Sequence, residues 1–327
     1  MMKLKRLLMT VLLAAGAAST FGQTAIPMAT GTVRATETFA IVPDGTHALE
    51  LKWDVYLPST PGQHPAVLVI FGGRFKEGDR SQVAGIAAEL ASQGFVALAI
   101  DYRTDEPNFH TGQQIPVFAP PAVPNQPGDV KLAVTAARTS VIPGGNSIIQ
   151  GRITGKVGAV GGSSGASHAL WCAATGSLST DKLNAAVLFS GAYQFDDPAS
   201  LSWPGDRNCN YGQHGLTFCA DVASYCRMNP VVCASPTPGP LHAGSPIYQV
   251  GADVSPLFWI SDEGDPVTPS QFTDLKDWLE SVGVDANLFK GVWVTVPGSE
   301  CHHSFDNWAL EKDDVSDWLR ARLDARP

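Results

Sequence analysis

Polar and apolar positions change rhythm along this chain. In Glu50-Leu51-Lys52-Trp53-Asp54-Val55-Tyr56-Leu57 they alternate, the period of a strand with one wet face. Phe39–Pro43 precedes it and is expected to pair with Leu49–Leu57 around an Asp44-Gly45 turn. Further on, alternation gives way to short, mostly continuous apolar runs: Ala66–Phe71, Phe95–Ile100, Lys156–Val160, Ala185–Phe189, Leu257–Ile260 and Gly291–Val296. Such runs suit strands covered on both faces, as in a parallel sheet. Between them, Ser81–Ser92, Gly128–Ser140, Ala166–Ala174, Ser270–Val282 and Asn307–Leu323 carry apolar residues at helical spacing. Phe272, Leu275 and Leu279 mark one such face; Leu310, Val315, Trp318 and Leu319 mark another. Strands alternating with helices imply βαβ units and an open, wound sheet. Two stretches break the alternation: residues 104–127, rich in Pro and polar side chains, and residues 193–246, rich in Pro, Gly and Cys. Both read as loops or insertions over one edge of the sheet, and long loops in compact domains are often functional.

The N-terminus reads as an export signal. Lys3, Lys5 and Arg6 precede the apolar run Leu7–Ala18, and the small or polar Ser19, Thr20, Gly22 and Gln23 follow. The run is too short to span a bilayer, so stable membrane insertion is not expected. Cleavage after Gly22 would leave a loose leader, residues 23–36, and one domain, residues 37–327, in a secreted or periplasmic protein. Export permits disulfides. Cys209, Cys219, Cys226 and Cys233 are expected to form two bridges, and Cys172 is expected to pair with Cys301. The cysteine cluster lacks a C-x2-C pair, which argues against zinc, and no metal or cofactor is called for. A net charge of −9 argues against nucleic acid or an anionic membrane as partner.

The chemistry concentrates at the ends of three apolar runs. Val157-Gly-Ala-Val160 breaks into Gly161-Gly162-Ser163-Ser164-Gly165 and continues as a helix. That is G-x-S-x-G in a strand–turn–helix setting, where a serine on a tight turn lifts its Oγ clear of the sheet. A serine hydroxyl is a poor nucleophile until a histidine takes its proton and a carboxylate orients that histidine. Leu257–Ile260 runs into Ser261-Asp262-Glu263-Gly264-Asp265-Pro266, and Asp265 is the candidate orienting acid. Asp262 and Glu263 read as turn or surface groups. The last apolar run leads to Cys301-His302-His303-Ser304-Phe305, where His303 is the candidate base and His302 the alternative. His168, His214 and His242 read as surface or internally satisfied groups. Acyl transfer also needs donors for the developing oxyanion. Candidates are the backbone N–H of Ser164, at a helix start, and of Gly73 or Arg74 in the Gly72-Gly73 turn.

With these elements in this order, the chain resembles the α/β-hydrolase superfamily, esterase/lipase type, close to the hormone-sensitive-lipase-like and feruloyl or acetylxylan esterase-like groups. Phe71-Gly72-Gly73-Arg74-Phe75, Ile100-Asp101-Tyr102-Arg103, Gly161–Gly165, Gly264–Pro269 and His303-Ser304-Phe305 carry the resemblance across residues 39–323. It implies an α/β fold: a mostly parallel central sheet, helices on both faces, and a cysteine-containing cap at residues 193–246. It also implies a serine carboxylic ester hydrolase acting on small-molecule or polymer-linked esters. An amide or peptide hydrolase and a catalytically silent binding module are the alternatives. Phe71 stands where the family's oxyanion loop usually has His, and Arg74 where it usually has a third Gly, so the bonds supporting that loop must differ.

Overall fold

The computed structural model describes residues 34–44, 47–104, 125–202, 222, 238–295 and 303–323. The apolar runs build the middle of an eight-stranded sheet: β1 Ala35–Asp44, β2 His47–Tyr56, β3 His64–Ile70, β4 Val96–Ile100, β5 Ile153–Gly162, β6 Ala185–Phe189, β7 Leu257–Asp262 and β8 Phe289–Val294. Their order is β1-β2-β4-β3-β5-β6-β7-β8. Strands β3 to β8 are mutually parallel, and β2 runs antiparallel to both β1 and β4. The alternation in β2 is realised: Leu49, Leu51, Trp53 and Val55 are buried, while Glu50, Lys52 and Asp54 are not. Every residue of β4 and β6 is buried, as continuous apolar runs require.

The two edges of the sheet differ from expectation. Strand β1 begins at Ala35, so the last residues assigned to the leader, Ala35 and Thr36, pair with Val55 and Asp54. Strand β8 closes the sheet as its edge, which leaves Trp293 exposed instead of covered on both faces.

Among the described residues, the five longest helices flank the sheet: α1 Ala84–Ser92, α2 Asn125–Thr139, α3 Ser164–Ala174, α4 Pro269–Ser281 and α5 Trp308–Leu323. Alternation along β5 shows that they lie on two faces. A Cβ added at Gly158 would meet Leu319 and Leu323 of α5, whereas one at Gly161 would meet the backbone of α3. Helix α2 starts three residues before Gly128 because a proline, Pro127, is tolerated in a helix's first turn.

Cys172 corrects a prediction. It is a free, fully buried thiol whose Sγ donates to the Pro127 carbonyl at 3.5 Å, and it forms no bridge to Cys301. It lies about two turns below the start of α3, roughly 12 Å along the axis at 1.5 Å per residue. Its Sγ faces α2, where the Pro127 carbonyl accepts from it. Burial pushes the thiol pKa up to about 12. Cys209, Cys219, Cys226, Cys233 and Cys301, and most of the expected cap, lie outside the described residues.

Candidate active site

Between β3 and its neighbours the winding reverses: the chain goes to β4 on one side and to β5 on the other. A crevice opens at the carboxyl ends of strands at such a point. Ser163 stands there, between the last residue of β5 and the first of α3, with φ +52° and ψ −121°. A left-handed φ is strained for a residue with a Cβ, and surrounding structure must hold it. Ser163 N–H donates to the Phe189 carbonyl at 2.8 Å, and its carbonyl accepts from Ala166 N and Ser167 N. Close packing does the rest. A Cβ on Gly161 would sit 2.3 Å from the Gly165 carbonyl oxygen, and one on Gly165 would sit 2.4 Å from that of Ile70.

The loop after β3 covers this turn. A Cβ added at Gly72 would lie 2.9 Å from Ser163 Cβ. Gly73 (φ +147°), Arg74 (φ +57°) and Phe75 (φ +66°) follow in left-handed conformations, and the Gly73 carbonyl accepts from Lys76 N and Glu77 N. Arg74 is exposed; Phe75 is buried among Ala192, Phe195, Val222 and Leu241. Tyr102 takes up the support that a loop histidine would give. Its ring stacks on Phe71 at 4.2 Å, and its hydroxyl donates to the Phe71 carbonyl at 3.1 Å and lies 3.2 Å from Ser164 Oγ. Gln126, a helix residue the pattern did not single out, is buried: its Nε2 donates to the Phe75 carbonyl and its Oε1 meets His168 Nε2 at 2.9 Å. Desolvation lowers the His168 pKa to about 3, so this ring is a neutral structural group.

On the opposite side stand Asp265 and His303. Asp265 is buried; its Oδ1 accepts from Val267 N at 2.9 Å and lies 2.9 Å from His303 Nδ1, across 38 positions of sequence. His303 precedes the 3-10 turn Ser304–Asn307, and its N–H donates to Asp306 Oδ2 at 2.9 Å. Burial alone would lower the imidazole pKa, but Asp265, then Asp306 and Asp262, outweigh it and hold the pKa above the ordinary histidine value. The turn also locks onto the end of β5: a Cβ on Gly162 would lie 2.0 Å from Ser304 Oγ and 2.7 Å from the Phe305 ring. His302 and His214 lie outside the described residues.

Asp262 departs from its reading as a turn or surface group, because it is 1% exposed. Gln271 was likewise missed. It is buried at the start of α4, where Oε1 accepts from Tyr193 N and Gln194 N while Nε2 donates to the Gln194 carbonyl and Ser200 Oγ. With Asp197, which accepts from Ser200 and Ser270 hydroxyls, it binds the chain leaving β6 to the helix after the acid loop. His242 is a surface residue, 3.1 Å from Asp196 Oδ2 through Nδ1. Among the described residues, no three His, Cys, Asp or Glu side chains are grouped to hold a metal ion, and no helix is long and apolar enough to cross a membrane.

No protein-family model and no curated protein matches this chain. Solved structures do. A truncated carbohydrate esterase from gut microbiota aligns with TM-score 0.62 at 20% identity, over 91% of this chain and 99% of that one. Esterase 2 of Thermogutta terrifontis, phosphonylated by sarin, aligns with TM-score 0.61 at 17% identity, over 91% and 97%. Its apo form aligns with TM-score 0.59 at 17% identity, over 90% and 96%. With the sheet order above, these likenesses establish the α/β-hydrolase fold.

Proposed function

We propose that this protein is a serine hydrolase of carboxylic esters. Ser163 Oγ attacks the acyl carbon while His303 takes its proton through Nε2, the ring nitrogen not committed to Asp265. Backbone N–H groups of Ser164 and of Gly73 or Arg74 receive the negative charge that develops on the carbonyl oxygen. The tetrahedral adduct collapses, His303 returns the proton to the departing alcohol, and an acyl-Ser163 ester remains. Water deprotonated by His303 then attacks that ester, and the acid leaves as Ser163 recovers its proton. Asp265 keeps Nδ1 protonated and stabilises the imidazolium throughout.

The observation that carries this reading is the 2.9 Å approach of Asp265 Oδ1 to His303 Nδ1, on a turn packed against the glycine preceding Ser163. The esterase names of the structural neighbours support the substrate class. The reading includes export, supported by the charged and apolar pattern of residues 1–22. Hydrolysis of p-nitrophenyl acetate by wild type and Ser163→Ala tests it. We expect kcat to fall by roughly 10⁶-fold in the variant, as for loss of a triad nucleophile; equal rates would refute it. A series from acetate to palmitate separates esterase from lipase behaviour.

A further inference from the structure

The strand that delivers Asp265 ends in another buried acid. Asp262 is the last residue of β7 and is 1% exposed. Its two carboxylate oxygens face different loops. Oδ1 accepts from Gly264 N at 2.7 Å and so shapes the turn that presents Asp265. Oδ2 accepts from the Asn307 side-chain amide, 45 positions away, at the end of the turn that begins after His303. Asn307 is fully buried, and the next residue, Trp308, is anchored by its Nε1 donating to Glu89 Oε2 at 2.6 Å. The turn is therefore held at Asn307 by Asp262 and beyond it by α1.

We infer that Asp262 is a positioning residue: it joins the acid loop and the histidine turn to the end of one strand, and it adds a further negative charge to those of Asp265 and Asp306 around the imidazole. A buried carboxylate is costly unless it is hydrogen-bonded or paired, and Asp262 accepts from both loops whose spacing sets the Asp265–His303 contact. Its charge acts with those of Asp265 and Asp306, the other acids that raise the His303 pKa. The inference rests on the proposed ester hydrolysis for its kinetic consequence, not for its electrostatic one.

The pair allows a clean separation of charge from shape. Asn307 Oδ1 is buried without a partner, so reversal of the amide would let it accept from the new side-chain amide in Asp262→Asn. That variant keeps both contacts and removes the charge. We expect the His303 titration, followed by imidazole NMR, to move to lower pH, and the acid limb of kcat/KM to move with it. Asn307→Asp sets two carboxylates face to face, and kcat/KM on the high-pH plateau should fall by roughly 100-fold, the cost of about 1 Å of misplacement. The double variant Asp262→Asn/Asn307→Asp exchanges the partners and should recover at least about tenfold of that loss. An unmoved His303 titration in Asp262→Asn, or a double variant no better than Asn307→Asp, would overturn the inference. If Asn307→Asp does not fold, the titration in Asp262→Asn decides alone. Should Ser163→Ala match wild type, the hydrolase reading falls, yet the NMR titration still tests Asp262.

Discussion

Around Ser163 the chain is held by close packing: a Cβ at Gly161 or Gly165 would meet backbone, and one at Gly162 would meet the Ser304 and Phe305 side chains. Around His303 it is held by carboxylates: Asp265 on the ring, Asp306 on its backbone N–H, Asp262 through Asn307. The first arrangement is steric and indifferent to pH. The second is electrostatic, with a strength that depends on which groups are charged. The comparison teaches that one rim of the crevice fixes where the Ser163 turn lies, while the other fixes the charge state of the His303 ring.

The sharpest way to separate the two is Asp265→Asn, which leaves the packing around Ser163 intact. Loss of the acid should reduce kcat by about 10⁴-fold, as when a triad histidine is left in the wrong tautomer. The pH dependence follows from the sign of the shift. Reaction needs neutral imidazole, so wild-type kcat/KM should rise through a pKa above that of an ordinary histidine, and in Asp265→Asn that limb should move to lower pH. Stability runs the other way: the contribution of charged His303 is present at low pH and lost as pH rises through its folded-state pKa.

Gly162→Ala attacks the steric rim. The new methyl would drive into Ser304 and Phe305, so we expect kcat to fall roughly 100-fold with His303 still titrating above its ordinary value. A thermal melt should show about 1–3 kcal/mol of lost stability, the usual cost of overpacking. Tyr102→Phe is the mildest test. It keeps the stack on Phe71 and removes bonds to the Phe71 carbonyl and Ser164, costing about 1 kcal/mol in denaturant unfolding. A loss of activity beyond tenfold would show that the loop after β3 depends on this hydroxyl more than on its packing.

The fold was legible where burial imposes continuous apolar runs, as in β3, β4 and β6, because there the sequence pattern and the environment are the same fact. The approach of Asp265 to His303 was foreshadowed by strand ends alone. Three kinds of information were not. Asp262 looks like any acid in a Gly-rich turn, and its burial is decided by Asn307 from far along the chain. Gln126 and Gln271 are polar residues on amphipathic helices, and which of them face inward depends on loops that pack over them. Cys172 is a free, buried thiol, and an even cysteine count does not say which thiols the core keeps apart.

The contact between Gly162 and Ser304 has a wider consequence. Two segments remote in the chain share a boundary thinner than one methyl group, so they cannot drift apart like ordinary surface loops without opening a void. Thermal jitter between the Ser163 turn and the His303 turn should resemble that of the protein's interior. Under the proposed mechanism, conformational freedom must then come from other parts of the crevice, leaving Ser163 and His303 in register while substrates arrive and products depart.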